Sequence, residues 1–404
     1  MDKTLIFLKQ YFGYTSFRKG QSEIICNLLN KQDCLAILPT GAGKSICYQI
    51  PALIFNNLTI VISPLISLMK DQVDKLNKKN IPAIYINSTM HNSAYKQVLR
   101  NIQLNKYKII YIAPERLHNK NFLEIIKKTS ISLIAIDEAH CVSEWGHDFR
   151  KSYLDICNFV SSLSNRPVIA AFTATATNLV QKDIINILAL KNPFILKTTF
   201  NRENLSFFIE SPISKTEFIL NFLEKNHFNS GIIYCNSRKN VDFLYDYLSL
   251  KGYFCSKYHA GLTSFERASY QNLFLYNKCK IMIATNAFGM GIDKQAIRYV
   301  IHYNMPKNIE SYYQEAGRAG RDQNPAKCIL LFSNNDIFTN KFLIERGSKN
   351  KSYKLDYQRL DSMINYCTTK KCLRSYLLEY FGEKPKNSNC GNCGNCIKKV
   401  DHFL

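Results

Sequence analysis

Near the amino terminus, Pro39-Thr40-Gly41-Ala42-Gly43-Lys44-Ser45 combines glycines, an amine and a hydroxyl in an order suited to holding a polyphosphate. Gly41 and Gly43, in the loop that begins with Thr40, let the backbone wrap close, so that amide hydrogens and a helix N-terminus meet phosphate oxygens. Lys44 supplies a cation to the β and γ phosphates, and the Ser45 hydroxyl suits Mg²⁺. The general form of such a loop has a further Gly where this chain has Leu38. Downstream, Ile134-Ala135-Ile136-Asp137-Glu138-Ala139-His140 is an apolar run ending in two acids. Asp137 is suited to hold Mg²⁺, and Glu138 to orient or deprotonate an attacking water. The two segments together point to ATP hydrolysis.

A third group lies near the carboxyl terminus. The chain has 14 cysteines. Most, such as Cys235 and Cys328, sit singly in apolar runs and read as small, reduced core residues. Only Cys390-Gly391-Asn392-Cys393-Gly394-Asn395-Cys396 has ligand spacing, with Gly and Asn turns that can present thiolates inward. Four thiolates close a tetrahedral zinc site, and the fourth is either Cys372 or Cys367. Iron–sulfur clusters use similar runs, but take a further Cys shortly downstream followed by Pro, which this chain lacks.

The elements that must position these groups are legible as short apolar runs. They are Cys34–Leu38, Thr59–Ser63, Ile109–Ala113, Ser132–Ile136 and Val168–Phe172, then Gly231–Cys235, Ile281–Ala284, Tyr299–Tyr303 and Cys328–Phe332. Continuous hydrophobicity marks strands buried on both faces, and strands alternating with amphipathic helices imply parallel sheets. The expected fold is α/β: two parallel-sheet domains meeting near Thr198–Asn204, then a small helical tail from about Asp336 that carries the cysteines. No internal repeat or low-complexity linker is seen.

Hydrophobic residues make up 46% and charged residues 21% of 404, as in ordinary globular proteins. The 53 Lys and Arg against 31 acids give a formal charge of +22. That excess suits a polyanion partner, although a chain so rich in Lys, Asn and Ile also fits an AT-rich genome. No apolar stretch reaches the ~20 residues of a membrane helix, and Met1-Asp2-Lys3 opens no signal peptide. The expectation is a cytoplasmic protein with no membrane partner.

One further segment narrows the reading. Cys141-Val142-Ser143-Glu144-Trp145-Gly146-His147-Asp148-Phe149-Arg150 follows the acids and holds the chain's single Trp. Aromatics and Arg on a loop suit stacking on unpaired bases and phosphate contact. With the nucleotide motifs, this segment resembles the superfamily 2 helicases and, within them, the RecQ family, over essentially the whole chain. Glu144 departs from the Gln usual there. The resemblance implies two tandem RecA-like domains, 1–201 and 202–335, and a helical zinc-binding subdomain, 336–404.

It also implies roles. Gln21 reads the adenine edge, with Tyr14 stacking and Arg18 nearby. Trp145, Phe149 and Arg150 contact DNA, and His147 relays that contact to ATP hydrolysis. Ser63, in Ser63–Gln72, belongs to a strand-gripping motif, and Thr173–Thr177 links the nucleotide and strand sites. Asn236, Arg238, His259 and Thr285 fall in loops expected on the DNA backbone, while Gly291 and Asp293 line the nucleotide cleft. In Gln314–Asp322, two arginines three apart suit one helical face; Arg321 is the expected finger on the transferring phosphoryl group, with Arg318 supporting it. The match around Cys372 favours zinc held by Cys372, Cys390, Cys393 and Cys396.

The implied activity is ATP-dependent, Mg²⁺-requiring DNA unwinding, moving 3′ to 5′ on single-stranded DNA in recombination and repair. Forked duplex and single strands are the implied partners, with a single-strand-binding or recombination protein alongside and a monomeric state. Two other readings are a DEAH-type RNA helicase and a DNA-stimulated ATPase that translocates or anneals without robust unwinding. Many RecQ proteins continue into winged-helix and further helical domains; this chain ends soon after Cys396, so strand separation is expected to rest on the core.

Overall fold

A computed structural model describes residues 2–39, 41–87, 90–144, 146, 149–289, 294–347 and 353–401. Thr40, Trp145, His147, Gly291 and Asp293 therefore lie outside the described residues. Contacts divide the chain into Met1–Thr199 and Phe200–Leu404.

The first unit is built on strands β1 (Cys34–Ile37), β2 (Leu58–Ile62), β3 (Ala83–Ile86), β4 (Ile109–Ile112), β5 (Ile131–Ile136), β6 (Val168–Thr173) and β7 (Phe194–Lys197). All pair in parallel, in the order β3-β4-β2-β5-β6-β1-β7. The second unit has β8 (Leu205–Glu210), β9 (Gly231–Tyr234), β10 (Cys255–Tyr258), β11 (Ile281–Ala284), β12 (Tyr299–His302) and β13 (Ala326–Leu331). These are also parallel, in the order β10-β11-β9-β12-β13-β8. The α/β class expected from the sequence is the one observed.

The nine apolar runs read from the sequence are the interior strands. The four strands not read are the edges: β3, β7, β8 and β10. An edge strand has one neighbour and keeps partly exposed residues, as Ser206 and Glu210 of β8 and Lys197 of β7 do, so its hydrophobic run is broken.

Helices cover the sheets, and Cys34, Ala36, Val61, Ala135 and Phe172 lie in the core of the first unit. Asp33, just before β1, is buried. Its Oδ1 accepts from Ile169 N at 2.9 Å, and its Oδ2 accepts from Lys191 N at 2.7 Å and Arg166 Nη2 at 2.6 Å. One carboxylate thus fixes the start of β6 and the approach to β7.

In the second unit the tail helices Asn334–Gly347, Tyr353–Thr368, Leu373–Tyr380 and Gly394–Asp401 attach through aromatic rings. Phe381 stacks on Phe200 with centroids 4.6 Å apart, Tyr313 meets both rings, and Tyr366 meets Tyr312.

Asp33→Ala leaves two amides without their buried acceptor and the partly exposed Arg166 guanidinium without its partner. It should lower the unfolding free energy by about 2 kcal/mol, measured by urea denaturation; a change below about 1 kcal/mol would show that the carboxylate is dispensable.

Candidate functional site

In a parallel sheet the carboxyl ends of the strands share one edge, where ligands of open α/β sheets bind. At that edge of the first sheet, β1 leads through the phosphate loop into the helix Lys44–Ile54. Gly41 and Gly43 have φ of 85° and 83°, in the left-handed region that favours glycine. A Cβ on Gly43 would overlap the Gln21 carboxamide. Gln21 Nε2 donates to the carbonyls of Ala42 and Gly43, each at 3.1 Å, and its Oε1 accepts from Arg18 N at 2.9 Å. Arg18 donates to the Gly41 carbonyl. Gln21 and Arg18 therefore brace the phosphate loop. Tyr14, 51% exposed, has an open ring face suited to stacking. Lys44 Nζ lies 3.5 Å from the Leu38 carbonyl.

The two acids follow β5. Asp137 Oδ1 accepts from Glu138 N at 3.0 Å, and the Asp137 carbonyl accepts from the Tyr153 hydroxyl at 3.0 Å. Burial, and then the adjacent Glu138 charge, push the Asp137 carboxyl up to about 7, while Lys44 pulls it down. Two buried carboxyls beside one ammonium form a donor set that a divalent cation fits. Glu138 stands in the left-handed region at φ 50°, ψ 48°, a conformation that costs ~1–3 kcal/mol in a non-glycine residue and collects at functional sites.

His140 joins the acids to the hydroxyl-rich segment. Its Nδ1 is 3.0 Å from Thr173 Oγ1 and 3.4 Å from Glu138 Oε2, and Thr173 Oγ1 donates to the Thr175 carbonyl at 3.0 Å. Burial, with Lys44 and Arg150 nearby, holds its imidazole down at about 3, so it is neutral. Among the described residues of the following segment, 141–144, 146, 149 and 150, hydrogen bonds tie the chain back to this knot. Gly146 N donates to Ser143 O at 2.8 Å, Arg150 N to Cys141 O at 2.9 Å, and Arg150 Nη1 to Pro64 O at 3.0 Å. A Cβ on Gly146 would overlap the His140 carbonyl. Ser143 Oγ donates to Asp183 at 2.5 Å. Tyr153 and Asp183 belong to this network without any local motif to reveal them.

Three residues expected on the DNA backbone are corrected. Ser63 is 1% exposed, turned inward at the end of β2. His259 is buried with both ring nitrogens engaged: Nδ1 accepts from Gly261 N at 3.2 Å, so Nε2 donates to Asp242 at 3.2 Å. Thr285 is buried, its Oγ1 accepting from Ala287 N at 3.4 Å. His259 and Thr285 shape their own loops through these bonds, and all three side chains are buried away from a DNA strand. Asn236 and Arg238 remain partly exposed at the same sheet edge, as do Phe149 and Arg150 in the first unit.

The arginine pair is corrected too. The helix Ile309–Ala316 ends before it, and Gly320 is left-handed at φ 56°. Arg318 and Arg321 thus lie on turns, not on one helical face. Arg318 is 3% exposed and donates to the Gly289 carbonyl, which makes it a brace; Arg321 is the partly exposed one.

In the tail, the Sγ atoms of Cys372, Cys390, Cys393 and Cys396 all lie within 4.8 Å of one another. A tetrahedral zinc with Zn–S of about 2.3 Å requires separations of about 3.8 Å, so the cluster fits that ion with minor adjustment. Leu373 N and Asn392 N donate to the sulfurs of Cys393 and Cys390, each at 3.4 Å, as N–H groups do around metal thiolates. Cys367 is buried outside the cluster.

Three family models match: DEAD/DEAH box helicase over 18–183, helicase conserved C-terminal domain over 214–323, and RecQ zinc-binding over 334–397. The ATP-dependent DNA helicase RecQ of Bacillus subtilis (strain 168) is 47% identical over 385 residues, covering 95% of this chain and 65% of that protein. The putative ATP-dependent RNA helicase R290 of Acanthamoeba polyphaga mimivirus is 43% identical over 382 residues, covering 94% and 69%. This chain thus spans about two thirds of the length of these relatives, and 37% and 29% of the longer wrn-1 of Caenorhabditis elegans and BLM of Xenopus laevis. Among solved structures, S. cerevisiae Dbp5 bound to RNA and ADP BeF3 superposes with a TM-score of 0.68 at 17% identity, covering 89% of this chain and 97% of that one; this likeness concerns the fold.

Purified protein should carry zinc, measured by atomic absorption. Cys372→Ser should lose the metal and loosen the tail to proteolysis, whereas Cys367→Ser keeps both; the reverse pattern would move the fourth ligand to Cys367.

Proposed function

Since the chain belongs to the RecQ family of helicases, we propose that it hydrolyses ATP to unwind duplex DNA, translocating 3′ to 5′ along one strand. The observation that carries this reading is the buried knot of Glu138, His140 and Thr173, to which Cys141 and Ser143 are tied through backbone bonds to Glu138 and His140. A change at the DNA-facing loop can reach the hydrolytic carboxylate through a few fixed contacts.

In this proposal the phosphate-loop amides and Lys44 hold the β and γ phosphates, and Tyr14 stacks on the base. Mg²⁺, held by Asp137 and Ser45, supplies charge neutralisation at the phosphates when bound. Glu138 orients the attacking water, with the neutral His140 ring 3.4 Å from its carboxylate. Arg321 supplies the guanidinium for charge that develops on the phosphoryl group. Phe149, Arg150, Asn236 and Arg238 contact the strand, and we assign Trp145 and His147 to the same loop from the sequence. Single-stranded and forked DNA are the substrates, with recombination and repair as the setting. A cytoplasmic monomer, working beside single-strand-binding or recombination proteins, completes the reading.

The test is ATP-dependent strand separation on a fluorescent duplex with a 3′ or a 5′ single-stranded tail. Unwinding of the 3′-tailed duplex alone is expected, with Lys44→Ala and Arg321→Ala reducing DNA-stimulated ATPase by about 10³-fold. ATPase without unwinding would leave a translocase or annealing factor. Equal stimulation by single-stranded RNA would favour the activity named for the mimivirus relative.

A pH dependence follows from Asp137. Its raised carboxyl biases stability downward as pH rises from 3.8 to about 7, because the folded form binds the extra proton there. His140, lowered from 6.5 to about 3, biases stability upward as pH rises through that span. The two oppose, so the metal requirement is the clearer readout. Below about pH 7 Mg²⁺ must displace a proton, so its half-maximal concentration for ATPase should rise about tenfold per unit. A flat Mg²⁺ requirement from about pH 6 to 8 would remove Asp137 as the ligand.

A further inference from the structure

Residues 200–206 lead into β8 and are gripped from two sides within the second unit. On one side is the zinc-binding tail. Arg374, in the helix that follows ligand Cys372, donates from Nη1 to Asn201 Oδ1 at 3.0 Å and to the Arg202 carbonyl at 2.5 Å. Its Nη2 donates to the carbonyls of Glu203 and Leu205. Asn392, between two of the ligand cysteines, accepts from Ser206 Oγ at 2.7 Å and donates to the Glu203 carbonyl at 3.4 Å. Glu383 accepts from Phe200 N at 2.7 Å.

On the other side is the turn that carries Arg321. The Arg202 fork donates from Nη1 to the Gly317 carbonyl at 3.4 Å, and from Nη2 to the carbonyls of Ala319 at 3.1 Å and Gly320 at 2.7 Å. Its Nε donates to Asn204 Oδ1 at 3.3 Å, and Asn204 Nδ2 donates to the carbonyls of Gly320 and Asn324, each at 2.9 Å. A Cβ on Gly320 would overlap the Asn204 amide. Further along, Arg298 pairs with Asp322 and donates to the Pro325 carbonyl at 3.2 Å.

This is not an ordinary helix cap. The carbonyls that a helix leaves unpaired are those of its last turn, and the helix here ends at Ala316. Arg202 instead binds carbonyls of the turn itself, on the approach to Arg321. A guanidinium fork spanning three acceptors fixes a shape that a single ammonium cannot.

We propose that Arg202, braced by Arg374, is a positioning residue that sets where Arg321 stands. The zinc-binding tail thereby acts on ATP hydrolysis through residues 201–205, in addition to ordering its own helices. This rests on the reading of Arg321 as the finger on the phosphoryl group. Groups held for transition-state contact tolerate little displacement, and an error of ~1 Å can cost ~100-fold.

The test uses the full chain carrying Arg202→Gln, Arg202→Lys, Arg374→Gln or Arg321→Ala, and Arg202→Gln combined with Arg321→Ala. DNA-stimulated ATPase, zinc content and hydrogen exchange of amides 318–323 are measured. Arg202→Gln should lower kcat ~10- to 100-fold with KM for ATP little changed, speed exchange at 318–323 and retain zinc. Arg202→Lys should recover part of the rate. Arg374→Gln should shift both readouts in the same direction, less far. In the Arg321→Ala background, Arg202→Gln should cost nothing further, because it acts through that residue. Near-normal kcat in Arg202→Gln, or a loss that multiplies with Arg321→Ala, would overturn the positioning role alone. Full ATPase in Arg321→Ala would overturn the finger, and the positioning role with it.

Discussion

In both sheets every strand runs in the same direction, so the carboxyl ends lie along a single edge of each. Interior strands are buried on both faces and carry almost no polar side chains; polar groups are admitted where the chain leaves the sheet. That constraint gathers the chemistry. Lys44 follows β1, Asp137 follows β5 and Thr173 closes β6, while Asn236, His259 and Thr285 follow β9, β10 and β11 in the second unit. The edge collects residues far apart in sequence because the strands, whose backbone groups satisfy one another, leave them no other place.

Having gathered polar groups in a poorly solvated position, the fold must pair them. Glu138, His140 and Thr173 form one chain of contacts, Tyr153 holds the Asp137 carbonyl, and Asp33 accepts from two amides and an arginine at the opposite edge. In such surroundings an unpaired group costs more than in water, so these networks have little freedom to relax. Where a carboxyl is left with a like-charged neighbour, as at Asp137, its proton affinity rises until a cation is the natural partner.

The tail shows the same economy on a smaller scale. Four helices offer a limited core, and the four thiolates supply an ordering force that apolar burial there does not. What the tail then holds is a neighbouring segment, through Arg374, Asn392 and the Phe200–Phe381 stack. Arginine recurs at these junctions because its fork can meet several carbonyls at once, as Arg202 and Arg374 each do.

By itself the sequence determined the nine interior strands, the phosphate loop, the acid pair and the cysteine cluster, since each is written in adjacent residues under a local rule of spacing or hydrophobicity. It did not reveal the edge strands, whose partial exposure interrupts the apolar run. Nor did it show that Ser63, His259 and Thr285 turn inward, or that Arg318 and Arg321 sit on turns. Arg202, Asn204, Tyr153 and Asp183 bear no motif at all. Their roles arise from partners 16 to 120 residues away, and only the tertiary structure brings such donors and acceptors within bonding distance.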